Sequence, residues 1–101
     1  MKPKALVVVH SKWCPYCRIA IKTAETLSEE LQITLKLLDI DVPDEEKEAD
    51  LYVRRHGDWS EDYVVPQLFI ECEDETVQHL LTGASSIEAA RAKLKKTLNL
   101  A

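Results

Sequence analysis

A continuous apolar run, Ala5 to Val9, lies near the start of the chain and is β-branched at Val7, Val8 and Val9. Such a run reads as a central strand covered on both faces. From Pro15 the period changes: Ala20, Ala24, Leu27 and Leu31 recur at helical spacing while Lys22, Glu25 and Glu29 fall largely elsewhere, which predicts an amphipathic helix of about four turns. Thr34 to Val42 predicts a second strand, with Leu38, Ile40 and Val42 on one face and Leu35 and Leu37 on the other, both faces covered. Pro43 then opens a second helix whose acidic start, Asp44 to Glu48, suits the positive end of the helix dipole, and whose Arg54, Arg55 and His56 suit the negative end. Ala49, Tyr52, Val53 and His56 mark its inward face, and Gly57 is expected to stop it. An acidic, aromatic loop from Asp58 to Tyr63 leads to Val64, Val65 and Pro66. Gln67 to Glu71 reads as a third strand, Cys72 to Thr76 as a turn, and Val77 to Leu81 as a fourth strand antiparallel to the third. Gly83 to Ser86 lead into a last helix with Ile87, Ala90, Leu94 and Leu98 facing inward. The order β-α-β-α-β-β-α predicts an α/β protein with a four-stranded mixed sheet flanked by three helices.

Composition narrows what such a chain can be. At 101 residues one compact domain can bury about 65% of its unfolded surface, and two could not be stabilised. No repeat, low-complexity segment or linker interrupts the pattern, so a single domain over residues 1–101 is expected. With 46% hydrophobic and 31% charged residues the chain is neither disordered nor collagen-like. Thirteen Lys and Arg against eighteen Asp and Glu leave a net charge of −5, which speaks against a nucleic-acid surface. The run at Ala5 to Val9 is too short for a secretory leader, and no stretch is long enough for a membrane span. The expectation is a soluble, cytoplasmic monomer whose thiols stay reduced unless their reaction is its purpose. Three cysteines cannot pair into a disulfide framework, so their placement decides their meaning.

Cys14 and Cys17 follow directly on the first strand and occupy the opening turn of the first helix, with Pro15 between them suited to a helical start. A thiolate at Cys14 would face free backbone N–H groups and the positive end of the dipole, and Lys12 and Arg18 add positive charge nearby. Cys14 is therefore the expected nucleophile. Cys17, one turn deeper, is expected to be less exposed and less acidic, and to act as the resolving thiol that releases a product from a mixed disulfide on Cys14.

The sequence Trp13-Cys14-Pro15-Tyr16-Cys17 contains Cys-Pro-Tyr-Cys, and Val65-Pro66 runs into the strand Gln67-Leu68-Phe69-Ile70. In both places the chain resembles the dithiol glutaredoxins. The resemblance implies a thioredoxin fold, disulfide reduction by thiol-disulfide exchange, and glutathione or another thiol as electron donor, with no bound cofactor. It further implies that Pro66 is cis, that the Val65 backbone pairs with an incoming glutathione or peptide strand, and that Lys12 stands for the family's lysine just upstream of the nucleophile; Trp13 and Tyr16, beside the nucleophile, are expected to join the substrate site. Where that family has Gly-Gly-x-Asp-Asp, this chain has Thr82-Gly83-Ala84-Ser85-Ser86, which leaves Gly83 and the hydroxyls of Ser85 and Ser86 to hold the glutamyl end of glutathione.

Trp13 and Gly83-Ala84 look more like thioredoxin. The first alternative is therefore a thioredoxin-like reductase of protein disulfides, fed by a flavoprotein of the thioredoxin-reductase type. The second comes from a different class: Cys14 and Cys17 as half of a metal site completed by His10 and Cys72, or, as the resemblance allows, an iron-sulfur cluster shared between two chains with glutathione. Trp13, Trp59 and Tyr63 can form an apolar rim for a peptide substrate. Arg54 and Arg55 are better read as solvated dipole partners than as substrate ligands, His10 as a structural histidine and Cys72 as a bystander.

Overall fold

The valine run becomes β1 (Pro3–His10), the strand around which the sheet is built. The structure, a computed structural model, describes residues 2–61 and 64–98. Side-chain alternation along β1 divides the core in two. Leu6 and Val8 pack on one face with Ala24 and Leu27 of α1 (Pro15–Leu31) and Ala90, Leu94 and Leu98 of α3 (Ile87–Leu98). Val7 and Val9 pack on the other with Ala49 and Val53 of α2 (Pro43–His56). A strand buried on both faces needs apolar residues at every position, which is why Leu6 to Val9 are each 0% exposed.

The sheet order is β2-β1-β3-β4. β2 (Thr34–Asp39) lies parallel to β1 with Val7 opposite Lys36, so α1 is the crossover between them. β3 (Gln67–Cys72) runs antiparallel to β1 with Val7 opposite Phe69, and β4 (Val77–Thr82) completes an antiparallel hairpin with β3. This mixed sheet with α1 and α3 on one face and α2 on the other is a thioredoxin fold, as expected. It gathers the C-terminal ends of β1 and β2, the start of β3 and the end of β4 at one edge, where α1 begins.

Three details depart from the pattern read in the sequence. The second strand ends at Asp39 rather than Val42, because a turn takes over its backbone groups. The Asp41 N–H donates to the Asp39 carboxylate at 2.9 Å, the Asp39 N–H to Glu45 Oε1 at 3.0 Å, and the Val42 N–H to the Asp39 carbonyl at 3.1 Å. Nor is β2 covered on both faces: it is an edge strand, and Leu37 is 39% exposed. In α2, Ala49 and Val53 are buried and Tyr52 half-buried, but His56 is exposed, since it is the last helical residue and no further turn covers it. The helix does stop before Gly57, whose backbone there is extended.

Candidate active site

The break after β1 places Cys14 as the N-terminal cap of α1, with extended backbone (φ −94°, ψ 113°) and no side-chain capping bond of its own. Pro15 supplies the first helical residue, and the Cys17 N–H donates to the Cys14 carbonyl at 3.2 Å, so one turn of helix holds the two thiols on the same side. Both are free and nearly buried, Cys14 at 5% and Cys17 at 1% exposure. Burial is the main reason that the Cys17 thiol is pushed up from 9.0 to about 12, and neighbouring Cys14 adds to the rise. Ser11 acts on Cys17 in the opposite direction, through its N–H and its side chain.

The loop before β3 closes over this turn. The Val65–Pro66 peptide is cis, and the Cys14 thiol faces the Val65 carbonyl at 3.9 Å. The Gly83 N–H donates to the Pro66 carbonyl at 2.8 Å, so the end of β4 is tied to the same loop, with Gly83 at φ +88°. Buried Gln67 anchors the loop from beneath. Its side-chain Oε1 accepts from the Asp58 N–H at 3.0 Å, and its Nε2 donates to the carbonyls of Asp58 and Val64 at 3.1 and 2.9 Å. The Thr82 hydroxyl adds a further tie, donating to Asp58 Oδ2 at 2.6 Å.

Lys12, Trp13, Cys14, Pro15 and Arg18 line a cavity of about 360 Å³. Trp13 and Tyr16 are 67% and 63% exposed. The Lys12 ammonium stands in solvent, 3.9 Å from the buried Asp39 carboxylate. The structure thus brings Lys12, Trp13, Cys14, Cys17, Val65, Pro66 and Gly83 to one edge of the sheet. Ser85 and Ser86 lie at the start of α3 and are occupied locally: the Ser85 hydroxyl donates to the Ser86 carbonyl at 3.3 Å, and Ser86 Oγ accepts from the Ala89 N–H at 3.1 Å. Trp59 is stacked under the Arg54 guanidinium, 3.7 Å from its ring centre, while Arg54 also pairs with Asp50. Tyr63, the third residue of the expected apolar rim, lies outside the described residues. Among the described residues no cluster of His, Cys, Asp or Glu is placed to hold a metal ion, and His10 and Cys72 are not grouped with the two thiols. A second cavity, about 310 Å³ between α2 and the β3–β4 hairpin, contains neither thiol of the Cys14–Cys17 pair.

Sequence reading missed Ser11, Asp39 and Gln67. Gln67 has a signal, a polar residue in the first position of a strand directly after Val-Pro, and Asp39 has one in the Asp-x-Asp spacing with Asp41. Ser11 carries none, because its burial depends on how the turn after β1 folds back on α1.

The fold and the paired thiols define a thioredoxin-fold protein. No family model matches the chain, and no curated protein matches it. Among solved structures it is similar to a chain from a study of the thiol-resolving mechanism of yeast mitochondrial 1-Cys peroxiredoxin via the glutathione and thioredoxin systems. That match has a TM-score of 0.61 at 17% identity, covering 99% of this chain and 81% of the other. Glutaredoxin 1 from Francisella tularensis, complexed with cacodylate, is similar at a TM-score of 0.46 and 24% identity, covering 94% of this chain and 96% of the other.

Proposed function

We propose that the chain is a glutaredoxin-like dithiol-disulfide oxidoreductase. The observation that carries the reading is the pair of free thiols on the first turn of α1, with the outer one, Cys14, set against the carbonyl that precedes cis-Pro66. In this reading the Cys14 thiolate attacks one sulfur of a substrate disulfide, forms a mixed disulfide and expels the other sulfur as a thiolate. The Cys17 thiolate then attacks the Cys14 sulfur, releases the second substrate thiolate and leaves a Cys14–Cys17 disulfide. Two molecules of a thiol such as glutathione return the pair to its reduced form and leave as their own disulfide. Val65 offers its backbone to the substrate, Lys12 and Arg18 favour an anionic one, and Trp13 and Tyr16 provide exposed aromatic surface beside the nucleophile.

Turnover of a small glutathione mixed disulfide, with glutathione as the only donor, tests this. Rapid turnover is expected from the wild type and none from Cys14→Ser, while Cys17→Ser keeps activity on the glutathione mixed disulfide and stalls on protein disulfides. Equal rates for Cys14→Ser and wild type would overturn the assignment. A second reading, reduction of protein disulfides with another donor, is favoured by the Ser86 hydroxyl being engaged as a helix cap. Reactive thiols with no turnover on glutathione would select it.

A further inference from the structure

Ser11 is the first residue after β1 and is 3% exposed. Its hydroxyl makes no well-formed hydrogen bond in the reduced protein. A hydroxyl removed from water without a partner is destabilising, and native proteins carry few of them. This one does not lie in an apolar void: with the Ser11 N–H beside it, it is close enough to the Cys17 sulfur to ease ionisation there. A neutral thiol is a poor acceptor, whereas a thiolate draws donors in and holds them in shorter, stronger bonds.

We propose that Ser11 is a positioning residue for the resolving thiol, its hydroxyl turning onto the Cys17 sulfur as that sulfur becomes the attacking thiolate. This rests on the disulfide-exchange reading and adds to it a residue outside the Cys-Pro-Tyr-Cys turn. Ser11 takes no proton. The Cys17 proton leaves to solvent, the Ser11 N–H and hydroxyl stabilise the charge left on sulfur, and the charge is discharged when the Cys17–Cys14 bond forms and the substrate sulfur departs with its electron pair. Leu6 to Val9 of β1 are all apolar and fully buried, so none of them brings a charge to the inner thiol, and the Ser11 hydroxyl at the strand end is the polar side chain left to act on it.

The test uses dithiobis-nitrobenzoate with the reduced 101-residue chain. Cys14 attacks the reagent and releases a first nitrothiobenzoate; Cys17 then displaces the second from Cys14, so that two thiols are oxidised to one disulfide and one reagent molecule is reduced to two thiolates. The first phase is the internal standard. Ser11→Ala is expected to lower the ratio of second-phase to first-phase rate about tenfold, the loss in thiolate fraction for a one-unit rise in pKa, and to move the second-phase pH profile upward. Ser11→Thr, which restores a hydroxyl, is expected to recover most of the ratio. The melting temperature of Ser11→Ala should not fall, since an unbonded hydroxyl is removed. A ratio within twofold of wild type in Ser11→Ala, or no recovery in Ser11→Thr, would overturn the role of Ser11 while leaving the exchange reading intact. A wild type that releases only the first thiolate would overturn both.

Discussion

Single residues at the site edge are chosen for what would otherwise collide or strain. A Cβ on Gly57 would collide with Gln67 Oε1 and lie 2.7 Å from Phe69 Cζ, and the first of these atoms is fixed by its bond to the Asp58 N–H. Phe69 cannot give way either, being 0% exposed and in ring contact with Tyr52 and His79. Gly83 is the opposite case: nothing lies within 4 Å of a Cβ built there, but its φ of +88° suits glycine. Gly57→Ala is therefore expected to destabilise by about 3 kcal/mol through overpacking, against about 1 kcal/mol of backbone strain for Gly83→Ala. Urea unfolding of the two variants measures the difference, and equal losses would mean that the Gln67 clamp yields to a methyl group. Gly57 was legible in the sequence as a helix stop, but its actual constraint was not, because the atoms it must avoid come from β3, ten residues further along the chain.

At the scale of elements, the pattern of apolar positions was most informative where a segment's surroundings are uniform. The Leu6–Val9 run is buried on both faces, Ala20, Ala24 and Leu27 are buried, and the last two pack against the sheet, so β1 and α1 follow from periodicity alone. β2 is harder to read, since Leu38, Ile40 and Val42 continue a strand's alternation while the Asp39 side chain captures the backbone for a turn. The same competition explains Ser86. Its place ahead of an apolar helix fits either a ligand for an anionic substrate or a helix cap, and the structure uses it as a cap. Ser86→Ala is accordingly expected to lower stability by about 1 kcal/mol, with Ser86→Asp restoring it, because aspartate caps as well as serine does. Denaturant unfolding checks this, and an Ala variant as stable as wild type would mean that α3 is held by Ala90, Leu94 and Leu98 without help from its first turn. The thiol pair was legible because Cys-Pro-Tyr-Cys is local in sequence. The ties of the loop before β3 were not, because Gln67 of β3 and Thr82 of β4 hold Asp58 and Val64, and Gly83, just past β4, holds Pro66.

For the whole molecule, the site and the core are not separate regions: Cys17 is 1% exposed and belongs to the packed base of α1, so its ionisation is also a question of stability. Folding raises its pKa from 9.0 to about 12, chiefly by burial, and a group whose folded pKa is raised favours the folded state below its unfolded value and loses that contribution as pH climbs toward the folded one. Below pH 9.0 both states hold the proton and the contribution is intact. Between pH 9.0 and about 12 the unfolded chain releases the proton while the folded one retains it, and stability falls by about 1.4 kcal/mol per pH unit from this group. The comparison is with Cys17→Ser, which keeps every other titratable group. Urea midpoints of the two proteins under reducing conditions are expected to run parallel from pH 6 to 8 and to separate above pH 9, the wild type falling more steeply. Parallel curves to pH 10.5 would mean that water reaches Cys17 in the folded state, and the inner thiol would then need no neighbouring donor to become the attacking species.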